Sequence, residues 1–265
     1  MNSQSVNTEM MERSKMRHLI FILITFYVTF SFSETEKIQL AADEWCPVTC
    51  SPENKAGRGI LYDIVSEALK NSNYTIEYNF LSWARAAQMV EKNKMNGLIG
   101  VYDTDFPKLE LTEPVIESKD CLYGLKTNTK LQKWTYTNLE SLVGFKVGTI
   151  NGYGYGDQID QFKATEHGKL IFEDAVGDSA VRQNLKKLQN SRVDLILENQ
   201  IVINYLKSQK ITPDKMTDYH CMDKKKIYIA FNNMKENKKV IQIINQFLKT
   251  KTSSDIIEKI KNKYK

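Results

Sequence analysis

Apolar positions along the chain change period repeatedly. Ile38-Gln39-Leu40-Ala41-Ala42 reads as a strand, and a loop with Cys46, Pro47, Cys50, Pro52 and Gly57 follows it. Across residues 59–71, Ile60, Leu61, Ile64, Val65, Ala68 and Leu69 recur at helical spacing. Tyr74, Ile76, Tyr78 and Phe80 alternate with polar residues, as a half-buried strand does. Residues 83–92 read as a second helix and residues 97–101 as a buried strand. This βαβαβ order predicts an α/β fold with a mostly parallel sheet.

The alternation then repeats. Strands are expected at 119–126, 145–150, 193–197 and 227–231, with helices at 179–190 and 199–208. A loop at 152–162 leads into a further helix. Two helices close the chain, one carrying Val240, Ile241, Ile244 and Phe247, the other Ile256, Ile257, Ile260 and Tyr264. Two α/β units of similar size are implied, with ligands expected at the carboxyl ends of their strands.

The stretch before residue 34 has a different character. Lys15 and Arg17 precede an uncharged, mainly apolar run from Leu19 to Phe30, and Ser31-Phe32-Ser33 follows. Basic region, short apolar run and small-x-small site together form the pattern of a secretory signal peptide. Its 12 residues fall short of the about 20 that a membrane helix needs. Cleavage is expected after Ser33, and Met16 offers an alternative start that would make residues 1–15 an extension. The first cysteine is Cys46, so no lipid attachment is expected and the periplasm is the expected compartment.

Composition narrows the function. The formal charge of +5 comes from 37 basic and 32 acidic residues without a basic stripe, which argues against nucleic acid as a partner. Lys224-Lys225-Lys226 and the C-terminal lysines read as solvated faces. Four cysteines in an oxidising compartment suggest two disulfides with three possible pairings. A small local loop between Cys46 and Cys50 is the first choice, which leaves Cys121 with Cys221. The three histidines are scattered, so a metal site is disfavoured and no cofactor is expected. No Gly-x-Ser-x-Gly elbow or His-Glu-x-x-His helix appears, and no enzyme is expected.

Several segments in order resemble the bacterial extracellular solute-binding proteins of family 3, the polar-amino-acid binders of ABC transporters. They are Gly59-Ile60-Leu61-Tyr62-Asp63-Ile64, Leu81-Ser82-Trp83-Ala84-Arg85-Ala86, Met95-Asn96-Gly97-Leu98-Ile99-Gly100 and Leu111-Thr112-Glu113-Pro114-Val115. Gly144-Phe145-Lys146-Val147-Gly148, Ser191-Arg192-Val193-Asp194-Leu195-Ile196-Leu197-Glu198 and Ile227-Tyr228-Ile229-Ala230-Phe231 continue the series. The stretch from Trp45 to Cys50, Trp83-x-Arg85 and Gly152-Tyr153-Gly154-Tyr155-Gly156 resemble a poorly characterised branch of that family. The resemblance implies a type II periplasmic binding protein fold of two α/β lobes joined by two hinge strands. Lobe one would take 34–125 and 225–265, lobe two 126–224. Cys121 and Cys221 would then lie near the crossings, where a bridge would brace the hinge.

The same resemblance implies the site. Asp43, Glu44 and Trp45 follow the first strand. Trp83 would stack on the solute and Arg85 would clamp a carboxylate. Tyr102 and Asp103 follow the third strand, where amino-acid binders carry an arginine that this chain lacks. Asn151, Gly152 and Tyr153 would offer backbone N–H groups to an anion at a helix start. Glu198 stands where the family has an aspartate holding the ligand's ammonium. Plainer roles stand beside these: a core aromatic for Trp83, a surface ion pair for Arg85, and a helix-start acid for Glu198. The expected activity is binding of a small polar solute by a monomer, for delivery to an ABC transporter permease. A sensor of the same fold, or a cyclohexadienyl-dehydratase-like enzyme, is the alternative.

Overall fold

The computed structural model describes residues 35–177 and 179–264, so the expected signal peptide at 1–33 lies outside the described residues. The chain opens with β1 (Glu36–Ala42), α1 (Ile60–Leu69), β2 (Tyr74–Phe80), α2 (Trp83–Glu91) and β3 (Gly97–Val101), then the short strands β4 (Glu110–Leu111) and β5 (Ile116–Ser118). A second run holds β6 (Asp120–Leu125), β7 (Val147–Ile150), α3 (Asp157–Ala164), α4 (Glu166–Ile171) and β8 (Phe172–Ala175). It continues through α5 (Ala180–Gln189), β9 (Leu195–Asn199), α6 (Gln200–Ser208) and β10 (Met216–Cys221). β11 (Lys225–Phe231), α7 (Asn237–Leu248) and α8 (Lys251–Lys263) complete the chain.

The strands form two sheets, within one compact unit. The first has the order β2-β1-β3-β11-β4, with β5 on β11; the second has the order β10-β6-β9-β7-β8. Each sheet is mixed, where mostly parallel sheets were expected. β2, β1 and β3 are parallel, as are β8, β7 and β9. The antiparallel members include the strands beside the crossings: β11 against β3, β6 against β9, and β10 against β6.

The chain changes sheets at Lys119, between β5 and β6, and returns through residues 222–224. Residues 120–125, expected with the first lobe, therefore pair in the second sheet. Ser118 pairs with Lys225 on one side of the crossing, and Cys121 pairs with Cys221 on the other. Cys121–Cys221 is a cross-strand disulfide, and Cys46–Cys50 closes a small loop after β1.

One apolar cluster holds Leu40, Leu61, Ile64, Ile99, Phe231 and Ile244 of the first lobe and continues into Leu185, Ile196 and Ile203 of the second, where Leu122, Leu131, Leu142, Val147 and Leu195 form another. Burial stabilises each such side chain by about 1.5–3 kcal/mol relative to exposure. The Cys46–Cys50 loop rests on the start of α1. A side chain at Gly59 would come within 2.6 Å of Thr49 and Val48 backbone atoms, and its φ of 110° is itself one that glycine favours. The Gly59 N–H donates to the Tyr264 hydroxyl at 2.9 Å, so the chain's C-terminal end pins the loop that carries Trp45.

Candidate binding site

The carboxyl ends of β1 and β3, the start of α2 and the loop after β7 meet where the two lobes face each other. Asp43, Trp45, Trp83, Tyr102, Asp105 and Tyr153 line a cavity there of about 20 Å³, room for about one water. It is narrow because side chains from opposite lobes bond across it. The Tyr153 hydroxyl donates to Asp43 Oδ2 at 2.6 Å, and Trp45 Nε1 donates to Glu198 Oε1 at 3.1 Å. Trp45 makes edge contacts with the Tyr102 and Tyr153 rings, and Trp83 makes one with Tyr153. Local structure sets these positions. The Trp45 N–H donates to the Thr49 carbonyl inside the disulfide loop, and Trp83 begins α2. Trp83 Nε1 is buried without a hydrogen-bond acceptor, an uncommon condition for an indole N–H.

Carboxyl groups dominate the electrostatics. Burial pushes Glu198 up to about 8, and Asp120 and Asp43 add to the rise against the opposing hydrogen bonds from Asn199 and Trp45. Both N–H groups donate to Oε1. Burial likewise raises Asp105 to about 6, against the pull of the Tyr102 N–H and Lys225. A buried polar network continues toward the hinge. Tyr102 donates to Asp120 at 3.1 Å, Asn199 Nδ2 donates to the Tyr102 hydroxyl, and Ser118 donates to Asn199 Oδ1 at 2.7 Å. Lys225 Nζ donates to Asp120 at 3.0 Å and to the Tyr155 carbonyl at 2.7 Å, and lies over the Tyr102 ring.

A second cavity of about 180 Å³ also lies between the lobes, lined by Glu44, Cys46, Asn54, Arg182, Tyr205 and Gln209 among others. Arg182 Nη2 stands 3.6 Å from Glu44 Oε1, and Asn54 Nδ2 donates to the Tyr205 hydroxyl at 3.1 Å.

No family model matches the chain. An uncharacterized protein of Shewanella oneidensis is 25% identical over 183 residues, 63% of this chain; the alignment spans 65% of that relative's length. Solved structures match more broadly. An ancestral arginine-binding protein bound to arginine superposes with a TM-score of 0.69 at 17% identity, covering 87% of this chain and 99% of that one. A substrate-binding protein of an ABC uptake transporter from Streptococcus pneumoniae, with bound histidine, gives 0.69 at 14% identity over 88% and 94%. A histidine kinase sensor domain with similarity to periplasmic binding proteins gives 0.69 at 13% identity over 87% and 96%. The chain has the type II periplasmic binding protein fold.

Within this binding-protein fold the expected site residues separate. Asp43, Trp45, Trp83, Tyr102 and Tyr153 share the first cavity, and Glu198 meets them through Trp45. Glu44 faces the second cavity. Arg85 and Asp103 are exposed and line neither. Arg85 lies two residues beyond Trp83, and positions two apart do not share a helix face; the buried stripe of α2 is Trp83, Ala86, Ala87 and Val90. Asp105 takes the place expected of Asp103, because its carboxylate accepts from the Tyr102 N–H at 2.8 Å and folds back into the cleft. Asn151 and Gly152 are exposed, and α3 begins only at Asp157. Of the donors expected for an anion, the Asn151 N–H donates to the Ala175 carbonyl and the Tyr153 N–H to the Ile150 carbonyl, while Tyr155 and Gly156 at the helix start donate to Asp160. Glycine still matters in this loop: a methyl at Gly154 would overlap the Asp105 carboxylate.

Asp105, Asp120, Asn199, Lys225 and Arg182 were not expected at the site. Lys225 was read as part of a solvated lysine run. The alternation of β11 turns it inward and leaves Lys226 exposed, a signal present in the sequence once Ile227 is placed in the core.

Proposed function

We propose that this protein binds a small polar solute bearing an amine by closing its two lobes over it, and that it delivers the solute to an ABC-type permease from the periplasm. The carrying observation is the seam itself. Asp43, Asp105 and Glu198 converge on aromatic walls from both lobes, and among the described residues no lysine or arginine lines the first cavity. An ammonium group satisfies such carboxyl groups by charge and by hydrogen bonds, its positive charge favouring release of the Glu198 proton, and flat aromatic faces favour a cation. The protein's own donors, the Tyr153 hydroxyl and the Trp45 N–H, occupy those acceptors in the closed seam. A solute therefore enters by displacing them. The orphan indole N–H of Trp83 supplies a donor for an acceptor on the same solute. Likeness to amino-acid binders, one of them the substrate-binding protein of an uptake transporter, supports the solute class and the transport role.

Thermal unfolding of the purified protein with a panel of amino acids, polyamines and small organic acids tests this reading. At least one amine-bearing compound is expected to raise the midpoint. Asp43→Asn and Glu198→Gln are each expected to weaken that compound about 10-fold or more, the cost of a lost charge-assisted hydrogen bond. A shift produced by carboxylic acids alone, or one untouched by both substitutions, overturns it.

A further inference from the structure

We propose that the second cavity receives a carboxylate at the other end of the solute, with Arg182 as its cation. This rests on the reading that the cleft takes an amine-bearing solute, and it narrows that class to amino acids whose two charged ends engage different cavities.

The cations near the cleft are unequally committed. Lys225 already serves Asp120 and the Tyr155 carbonyl and covers the Tyr102 ring. Arg85, the residue expected to hold a carboxylate, is exposed and lines neither cavity. Arg182 is different. It stands in the first turn of α5 and lines the second cavity, where it is the one lysine or arginine among the described residues. Its contact with Glu44 at 3.6 Å is longer than the about 2.7–2.9 Å of a charge-assisted hydrogen bond. The two side chains keep 46% and 27% of their exposure, so solvent screens the pair and its separation costs little. A solute carboxylate can instead meet the guanidinium with two parallel hydrogen bonds. The start of α5 adds to the attraction, since a helix N-terminus favours negative charge and the Ser179 side chain makes no capping bond there.

The two cavities are neighbours. Asp43 and Trp45 line the first and Glu44 and Cys46 line the second, so successive residues of one short turning segment face each in turn. Consecutive Cα atoms are about 3.8 Å apart. Trp45 lies between Glu44 and Cys46 in the chain, and its bond to Glu198 is one of the two that an ammonium would displace. On this inference an amine at Asp43 and Glu198 and a carboxylate at Arg182 are the two ends of one solute. Glu44 repels that carboxylate until Arg182 turns from it, which makes Glu44 a competitor.

Isothermal titration with matched pairs tests the inference: L-arginine with agmatine, L-lysine with cadaverine, and L-histidine with histamine. Each pair differs by one carboxylate. The wild-type protein is expected to prefer the amino acid in at least one pair by about 10–100-fold, and Arg182→Gln is expected to bring that amino acid down to the affinity of its amine. The amine itself should change by no more than about twofold. Glu44→Gln should leave the amino acid bound as tightly or more tightly. Arg182→Gln retaining the preference, a wild-type protein without one, or weaker amino-acid binding in Glu44→Gln each overturn the inference and leave the amine reading standing. Failure of all six compounds to bind the wild-type protein overturns both.

Discussion

Glu198 is the residue where burial and charge collide most directly. In the folded protein its carboxyl stays protonated up to about 8, against an ordinary value of 4.5. Between those values the folded state holds a proton that the unfolded chain has released. Stability therefore falls as pH rises through that window, and the contribution is complete only below about 4.5. Asp105 acts in the same sense between 3.8 and about 6. The melting temperature is expected to fall from pH 5 to pH 8, by about 2–4 °C for each kcal/mol of linkage. Glu198→Gln should flatten the part of the curve above pH 6, as followed by circular dichroism at fixed ionic strength. An unaltered slope in that variant would remove Glu198 as the cause. The family resemblance named Asp43, Trp45, Trp83, Tyr102, Tyr153 and Glu198 as candidates, and predicted strand ends and a helix start located them within each unit. Arg182, Asp105 and Lys225 were hidden for three separate reasons. Arg182 reaches the seam only through lobe docking, Asp105 through a carboxylate that folds back on the Tyr102 N–H, and Lys225 through the pleat of β11.

At the scale of elements, the long periodic segments were legible and the short strands were not. β4, β5 and β8 have two to four residues, too few for a period to show, and pairing with a neighbour is what makes them strands. β10 lies at the sheet edge with its buried–exposed pattern blurred, and a register shift between Asp218 and His220 interrupts it. β9 begins at Leu195, where a strand at 193–197 was expected. The chain is still turning before it: Ser191 has φ of 54°, and the Asp194 carboxylate is held by Asn128, Lys130 and the Lys146 N–H. The disulfides carry unequal weight in this scheme. Cys121–Cys221 closes a sequence separation of 100 beside the crossing, whereas Cys46–Cys50 closes one of 4. Loop-closure entropy then predicts that replacing Cys121 and Cys221 by serine costs about 2–5 kcal/mol, or about 5–15 °C in melting temperature. The same replacement at Cys46 and Cys50 should cost less stability, since its loop is short. Scanning calorimetry of the two double variants checks the ranking, and the reverse order would show that the small loop does more than position Trp45.

At the scale of the whole molecule, the proposed closure would be a balance between contacts across the seam and hydration of the groups that make them. Tyr153 to Asp43, Trp45 to Glu198, Glu44 to Arg182 and Asn54 to Tyr205 all join one lobe to the other, while the backbone crosses only at Lys119 and 222–224. Few covalent crossings and several polar bridges are what the proposed hinge requires: its open form would lose hydrogen bonds but regain water for its carboxylates. Tyr153→Phe isolates one bridge. The ring keeps its edge contacts with Trp45 and Trp83, and Asp43 loses a donor while staying largely buried in the closed form. A hydrogen bond to a charged group contributes about 1.5–3 kcal/mol. The ratio of open to closed molecules should therefore rise about 10-fold or more, because opening lets water reach Asp43 while each lobe's own core is unchanged. Small-angle scattering then shows a larger radius of gyration in the variant than in the wild-type protein, with urea unfolding of the lobes little altered. If the radius stays fixed and the unfolding midpoint drops instead, the two lobes behave as one packed body, and the Tyr153–Asp43 bond belongs to its core and not to a moving seam.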